Sequence, residues 1–168
     1  MAEFTVNPNR HDPYKGFKFR VRWDGQYVPG ICSVSGLVWN AQVVSYREGG
    51  ATNTFVEGPG GISFEPLVLT RGRTHDPAFE DWAALVWSAT AAGGAEVKLN
   101  EMRKDISIVL LNEAGQPVMS FIVRRAWPSR YQPLGALDAN LATVALESLT
   151  LQHEGFERDP SVGEPQQP

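Results

Sequence analysis

Apolar and charged residues alternate strictly over residues 17–24, and this pattern constrains the fold more than any other in the chain. The apolar members are Phe17, Phe19, Val21 and Trp23, and the charged members are Lys18, Arg20, Arg22 and Asp24. A period of two places successive side chains on opposite faces of a β-strand. Asp24-Gly25 is a dipeptide typical of a β-hairpin turn. The pattern therefore predicts a strand and a return strand, residues 26–34, that Pro29-Gly30 interrupts.

Further apolar runs, separated by glycine-containing turns, predict more strands. The fourth predicted strand is apolar on both faces, as in a strand that is covered on both sides. The last one changes its apolar face near Glu147, which we interpret as a β-bulge. After the first hairpin, the predicted strands are residues 38–47, 62–71, 104–112, 117–126 and 144–153, and residues 127–137 are predicted to be irregular.

One helix is predicted over residues 76–90. Asp76 is a favourable N-cap and Pro77 suits the first helical position, while Gly93-Gly94 would end the helix. Apolar residues recur at helical spacing, and this pattern predicts that they face the core. They are Phe79, Trp82, Ala83, Val86 and Trp87.

These elements predict a mainly β fold: two packed antiparallel sheets, or a small β-barrel, with one α-helix. The length of 168 residues suits one domain, which we place at residues 1–158. We expect residues 159–168, rich in proline and glutamine, to form a mobile tail.

A glycine-rich stretch, residues 48–61, separates the third and fourth predicted strands. It begins near Gly49-Gly50, ends at Gly58–Gly61 and holds strand-like residues from Thr52 to Val56. Loops of this length inside a compact domain are uncommon and are often functional. We interpret the stretch as an arm, hinged at both ends, that becomes ordered against another copy of the chain. The alternative is an ordinary surface loop.

The sequence carries no motif for chemistry. A lone Cys32 leaves no internal disulfide or multi-cysteine metal site. His11, His75 and His153 lie far apart and form no paired metal-ligand motif. A nucleophile elbow and a phosphate-binding loop are also absent. We therefore expect no catalytic residues, no metal and no cofactor.

Charge and hydropathy limit the partners. A net charge of −4 argues against a protein that binds nucleic acid through phosphate contacts. We find no signal-peptide pattern and no apolar run of the roughly 20 residues that a membrane span needs. We therefore expect synthesis and assembly in the cytoplasm, without a membrane anchor.

Seven segments, in order, resemble the tail tube proteins of contractile phage tails and of phage-tail-like contractile injection systems. None is a chemical signature alone, but together they are spread along nearly the whole chain. The segments are residues 12–25 (DPYKGFKFRVRWDG), 46–50 (YREGG), 65–82 (EPLVLTRGRTHDPAFEDW), 103–106 (RKDI), 112–118 (NEAGQPV), 137–140 (LDAN) and 154–159 (EGFERD).

This resemblance implies a fold similar to that of the type VI secretion tube protein, and no enzymatic activity. It implies hexameric rings that stack into a hollow inner tube, which sheath contraction drives through a target envelope. The implied partners are other copies of the chain, the contractile sheath, baseplate and terminal cap proteins, and cargo protein or DNA in the lumen. The particle is a phage tail, or an injection particle that is extracellular or cytoplasmic.

The resemblance also assigns the arm to contacts between subunits, with a second segment as a weaker candidate. The arm carries Glu57 and has no lysine or arginine between Thr52 and Gly61. In this it departs from the relatives, in which we would expect basic residues there. The interface residues are Arg47, Glu48, Gly49, Gly50, Thr52, Phe55, Glu57, Gly58, Pro59, Gly60 and Gly61 in the arm, and Arg130 and Tyr131 in the second segment.

Alternative functions stay open at this point. The chain could be the tube of a phage that conducts DNA, or a paralogue of the tube that lies near the baseplate. It could also be a secreted ring that carries effectors, as in type VI systems, or a monomeric β-domain.

Overall fold

The computed structural model describes residues 14–47, 49–50, 55–91 and 99–163. The strands in chain order are β1 (Phe19–Trp23), β2 (Gln26–Tyr27), β3 (Ile31–Val34), β4 (Trp39–Tyr46), β5 (Val56–Phe64), β6 (Leu67–Gly72), β7 (Lys104–Leu111), β8 (Pro117–Gln132), β9 (Leu146–Gln152) and β10 (Gly155–Arg158); the helices are α1 (Ala78–Ala91) and the single turn α2 (Leu99–Met102).

The strands form two antiparallel sheets. The larger sheet has eight strands: the order is β2-β1-β7-β8-β9-β6-β3, and β10 pairs with β8. Strand β8 is long enough to belong to both halves of this sheet, pairing first with β7 and β10 and then with β9. Strands β4 and β5 pair only with each other. The mainly β prediction is confirmed, but no ladder among the described residues joins β2 to β3, so the sheet does not close into a barrel.

The two halves of the large sheet and helix α1 enclose one core. Trp82 lies at its centre, with its ring centroid 5.1 Å from that of Trp23, and its indole N–H donates to the carbonyl oxygen of Met102 (2.8 Å). The core residues are Val21, Trp23, Leu67, Leu69, Phe79, Trp82, Ile106, Ile108, Val123, Ala126, Leu149 and Leu151.

The first hairpin and the start of α1 follow the prediction. Asp24 and Gly25 both have positive φ (51° and 76°), as a two-residue turn of type I′ requires. The return strand is interrupted at Pro29-Gly30, and its two parts, β2 and β3, lie at opposite edges of the large sheet. An oxygen of Asp76 accepts a hydrogen bond from the amide of Ala78 (2.8 Å), so Asp76 caps α1.

The predicted strand at residues 62–71 is wrong, because these residues belong to two strands in two different sheets. Strand β5 ends at Phe64, and β6 begins at Leu67. Proline has no amide hydrogen and restricts the residue before it, so Glu65-Pro66 breaks the ladder. The long hairpin of β4 and β5 is the result.

The prediction of an irregular segment at residues 127–137 is wrong for its first half. Strand β8 continues to Gln132, and its register against β9 shifts between Pro128 and Arg130. A bulge removes the need for an amide hydrogen at the proline. The sheet therefore incorporates Pro128 instead of ending there.

The bulge predicted near Glu147 is also wrong. Strand β9 pairs with β6 without a register shift, from Leu67 opposite Leu151 to Gly72 opposite Leu146. Glu147 is buried on the same side as Leu149 and Leu151. The apolar face seemed to change because a carboxylate occupies a core position.

The prediction that the apolar residues of the helix face the core is wrong for Trp87. Trp82 is 1% exposed, as predicted, whereas Trp87 is 78% exposed. At 3.6 residues per turn, Trp87 lies about 140° around the helix axis from Trp82. The predicted end of the helix at Gly93-Gly94 lies outside the described residues.

At the C-terminal end, the amide of Asp159 donates to the carbonyl oxygen of Ser120 (2.8 Å). Residues 164–168 lie outside the described part of the chain.

Candidate assembly surfaces

The hairpin of β4 and β5 projects from the rest of the molecule. Its register runs from Trp39 opposite Phe64 to Tyr46 opposite Val56. Every residue of β4 is exposed, and so are most residues of β5. The glycine-rich arm is thus the second strand of a long hairpin and its connection, and the predicted hinge at Gly58–Gly61 is wrong, because these residues lie within β5.

Large apolar side chains cover both faces of this hairpin. By its register, Trp39, Val43 and Ile62 lie on one face, and Val44 and Tyr46 lie on the other. All are roughly half exposed or more. A two-stranded hairpin is at best marginally stable in water, and an exposed apolar surface of this extent is typical of an interaction site.

A β-bulge divides the hairpin into a part near the sheet and a distal part. The register shifts between Ala41 and Val43, so Gly60 and Gly61 face one residue of β4. A Cβ on Gly60 would lie 2.8 Å from Cγ2 of Val44 and 3.0 Å from the carbonyl oxygen of Gln42. Only glycine fits this approach without a shift of β4.

Contacts of Val38, Asn40 and Glu65 close the base of the hairpin, and contacts with His153 and Phe156 hold this base against the large sheet. The amide of Glu65 donates to the carbonyl oxygen of Val38 (3.1 Å), and the side-chain amide of Asn40 donates to the carboxylate of Glu65 (3.0 Å). The Phe64 ring lies 5.6 Å from His153 and 6.0 Å from Phe156. His153 Nε2 is 3.0 Å from the carbonyl oxygen of Glu65. These contacts hold the hairpin at one end only.

Most of the predicted interface residues lie on this hairpin. Gly58 to Gly61 lie in β5, together with the exposed Glu57, and Phe55 immediately precedes the strand. Arg47, Gly49 and Gly50 begin the connection, where Gly50 has a φ of 115°. Glu48 and Thr52 lie outside the described residues.

Arg130 and Tyr131 lie elsewhere, in the second half of β8, where they line a groove against helix α1. The groove has a volume of about 650 Å³. Residues of α1 form one wall, Ala83 and Trp87 among them and also Glu80, whose carboxylate pairs with Arg73, and Pro128, Arg130 and Tyr131 form the other. We call it the α1–β8 groove. The structure thus places the two predicted segments on separate surfaces.

A buried ion cluster underlies one end of this groove. Arg71 in β6 is opposite Glu147 in β9, and its Nε donates to the Glu147 carboxylate (2.5 Å). Arg73 donates to the other carboxylate oxygen (2.7 Å) and to the Tyr131 hydroxyl (3.0 Å). The Tyr131 hydroxyl donates to Glu147 (3.1 Å). One carboxylate therefore joins three strands of the sheet.

The same cluster attaches the helix. Nη2 of Arg71 donates to the carbonyl oxygen of Asp76 (2.6 Å), and its guanidinium lies over the Phe79 ring, 4.2 Å from the centroid. The hydrogen bond to Glu147 raises the pKa of Arg73, and burial followed by the Glu147 charge raises the pKa of the Tyr131 hydroxyl. The contacts of Arg71 with Asp76 and Phe79 therefore fix the position of α1 against the sheet.

Sequence reasoning missed this cluster, although the sequence carries a signal for it. Arg71 continues the inward alternation of Leu67 and Leu69, and Glu147 begins that of Leu149 and Leu151. Opposite charges at inward positions of two strands indicate a buried pair, since isolated charges are rarely buried.

Within the described residues, no group of three or more His, Cys, Asp or Glu side chains could hold a metal ion. No described helix is long and apolar enough to cross a membrane.

Comparison with known proteins identifies the family. The family model for the T4-like virus tail tube protein gp19 matches residues 15–157. The chain belongs to this tail tube protein family. It is therefore a structural protein of the tail-tube type, and the relatives it matches are structural tube proteins. No curated protein sequence matches the chain significantly.

Solved structures agree with this assignment. The tail tube protein is similar to a chain of the sheath–tube complex of PVC, an extracellular contractile injection system, with 25% identity over 88% of this chain and 91% of that chain (TM-score 0.70). It is also similar to a chain of the tube-terminating cap of the anti-feeding prophage, with 25% identity over 95% and 99% of the two chains (TM-score 0.73).

A more distant structure shares the fold. Hcp1 of Flavobacterium johnsoniae is 12% identical over 90% of this chain and 100% of that chain, with a TM-score of 0.51. The expected similarity to type VI tube proteins is thus confirmed for the fold.

Proposed function

We propose that this chain is the inner tube subunit of a contractile injection system. Six copies form a ring, rings stack into a hollow tube, and sheath contraction drives the tube through a target envelope. The exposed β4–β5 hairpin is the observation that carries the proposal. A subunit that acted alone would leave this apolar hairpin in water, whereas assembly covers it.

The hairpin also supports closure into a ring. Each of its strands pairs on one side only, so the outer edges of β4 and β5 carry backbone N–H and C=O groups that another chain can pair. Such a contact joins different surfaces of two copies, and a heterologous contact closes into a ring when its rotation permits. Pairing around a ring removes the exposed edges.

The choice of an injection system over a phage tail rests on the comparisons. The chain shares 25% identity with the PVC and anti-feeding prophage chains, but 10%, with a TM-score of 0.54, with a chain of a gene transfer agent virion. The net charge of −4, repeated around each ring, disfavours adsorption of DNA to the tube. Because a tube must not hold its cargo tightly, this charge suits either cargo, so only the identities favour a protein in the lumen, and we expect no chemistry in the tube.

A second candidate is a tube paralogue at one end of the particle. Chains from the anti-feeding prophage baseplate (22% identity) and its cap match this chain with TM-scores of 0.69 and 0.73. We expect long tubes from a main tube subunit and single rings from a terminal paralogue.

Electron microscopy of the purified chain, together with its mass by light scattering, tests assembly. We expect six-fold rings or hollow tubes. A chain that stays monomeric at high concentration, even with its sheath and baseplate proteins present, would contradict the proposal.

A truncated hairpin tests the surface. Deleting residues 43–60 and replacing Gln42 with Asn leaves Ala41 opposite Ile62 with an Asn-Gly turn between them, a favoured two-residue connection. We expect a folded chain, checked by circular dichroism, that forms no tubes. The full-length Gln42→Asn variant is the control. Normal tubes from the truncated chain would remove the hairpin from the proposal.

A further inference from the structure

The α1–β8 groove presents residue types that dominate binding energy in protein interfaces. Trp, Tyr and Arg are enriched among such residues, and Trp87, Tyr131 and Arg130 lie together here. Trp87 is more exposed than any other large apolar residue of the described chain. The buried ion cluster holds Tyr131 and α1 in place, so the groove is preorganised for a ligand.

The distal hairpin has a face of matching chemistry. By the register of β4 and β5, Val43, Glu57 and Pro59 share one face. Phe55, two residues before Glu57, is 62% exposed. This face offers apolar groups beside a single carboxylate.

The charges of the two surfaces are complementary. Within the described residues, neither Glu57 on the hairpin nor Arg130 in the groove forms an ion pair. By contrast, the exposed Arg124 and Arg125 both pair with carboxylates. Unpaired charges of opposite sign, each beside an apolar patch, fit the two sides of one interface.

We propose that the α1–β8 groove of one subunit receives the distal β4–β5 hairpin of another copy of this chain, with the carboxylate of Glu57 against the guanidinium of Arg130 and the apolar face of the hairpin against the exposed ring of Trp87. The inference rests on the proposed tube function and names the partner of the hairpin. The two surfaces differ, so the contact is heterologous and every subunit both gives and receives a hairpin. The same contact thus repeats along the whole assembly.

Charge exchange tests the pairing. Glu57→Arg and Arg130→Glu each place two like charges in the contact, and we expect each to raise the concentration needed for tube formation by about tenfold or more at low salt. The double variant Glu57→Arg/Arg130→Glu restores the opposite charges and should assemble near the wild-type concentration. Both residues are exposed, so the variants should fold, and thermal unfolding checks this.

A matched double variant controls for net charge. Arg158 is exposed and forms no ion pair within the described residues. Glu57→Arg/Arg158→Glu has the same net charge as the exchanged pair, but it should assemble as poorly as Glu57→Arg alone. Equal rescue by both double variants would overturn the inference, because it would show that total charge, not pairing, governs assembly.

Cross-linking provides a second measurement. Because Cys32 is the chain's lone cysteine, a Cys32→Ser background is free of thiols. Glu57→Cys and Arg130→Cys in one chain should give a ladder of oligomers on a non-reducing gel after oxidation of assembled tubes, and Glu57→Cys/Arg158→Cys should not. A ladder from the control alone would overturn the inference.

The outcomes separate this inference from the proposed function. If the truncated hairpin abolishes tubes but Trp87→Ser and Arg130→Glu leave them intact, the groove inference is wrong and the hairpin keeps its role. If those groove variants assemble but fail to bind the sheath, the groove belongs to the sheath, and the inference is again wrong. Normal tubes from the truncated chain would overturn the groove inference and the role of the hairpin, while the tube function would stand.

Discussion

The core sheet and the β4–β5 hairpin are both antiparallel, yet they differ in what completes them. Strands β6 and β9 lie inside a sheet with a helix against it, and Leu69 and Leu149 are fully buried. Strands β4 and β5 have one neighbour each and expose apolar side chains on both faces. The single chain completes the first region but leaves the second uncovered, and in our proposal another copy of the chain covers it.

Charged groups also differ between the core sheet and the β4–β5 hairpin. In the core sheet, Glu147 is 1% exposed, and two arginines and a tyrosine bind its carboxylate. On the hairpin, Glu57 is exposed and forms no ion pair within the described residues. The chain itself supplies the partners of the buried carboxylate, whereas it leaves the exposed one without an ion pair.

Amide hydrogen exchange should show the largest difference between the core sheet and the hairpin. Amides of β6 and β9 should open only with global unfolding, at about 5–15 kcal/mol, whereas those of the hairpin in the monomer should open at close to zero. In assembled tubes we expect the hairpin to become protected. Mass spectrometry of peptides that cover residues 39–46 and 146–152 measures both states. Equal protection of the two peptides in the monomer would contradict the division.

The second largest effect is expected when the buried ion cluster loses its carboxylate. Glu147→Ala leaves Arg71, which is 0% exposed, without its carboxylate, and breaking a buried pair from one side costs about 3–5 kcal/mol. Denaturant unfolding measures this loss. Glu154 provides the control, since Glu154→Ala removes surface ion pairs with Arg103 and Arg125 and should cost much less. A loss no larger than that of the control would show that the cluster does not stabilise the fold.

Local patterns predicted the parts of the fold in which the chain satisfies itself. Alternation in β1, the Asp24-Gly25 turn and the Asp76 cap are short-range features, and the structure confirms each of them. The break at Glu65-Pro66 is a local signal that the strand prediction overlooked, whereas the errors at Pro128 and Glu147 arose where a long-range contact overrides the local pattern. Pro128 enters a strand because β9 pairs beside it, and Glu147 is buried because Arg71 lies opposite.

The candidate site was predictable only in part, for a related reason. Glycine content marked the arm, but it suggested hinges where the structure has a β-strand with a bulge at Gly60. The exposure of Trp87 had no local signal, because a tryptophan at helical spacing is typical of a core residue. Surfaces that bind partners look like core in sequence, and only the fold shows which of them the chain leaves uncovered.

One pair of substitutions compares the two regions directly. Leu69 is 0% exposed and Ile62 is 63% exposed, and both lie in strands. Leu69→Ala should lower the free energy of unfolding of the monomer by about 2–5 kcal/mol, and Ile62→Ala should change it by less than about 0.5 kcal/mol. Denaturant unfolding of the monomer measures both. A large loss for Ile62→Ala would mean that the hairpin packs against its own chain.

The smallest effect is expected at the bend of β8. Arg125 has a φ of 50°, and Asp105 accepts a hydrogen bond from its amide (2.8 Å) and one from the side chain of Arg124 (2.9 Å). The bond from the Arg125 amide is the main reason that the pKa of Asp105 lies below its ordinary value of 3.8. The folded state therefore favours the carboxylate, whose contribution to stability is complete above the ordinary pKa and is lost as the pH falls through the lowered pKa.

Asp105→Asn should lower the free energy of unfolding by about 1 kcal/mol at neutral pH, and the difference from wild type should shrink as the medium becomes more acidic than pH 3.8. Arg124→Gln, which keeps the bond from the Arg125 amide, should cost less. A difference that does not change with pH would show that the carboxylate charge does not stabilise the bend.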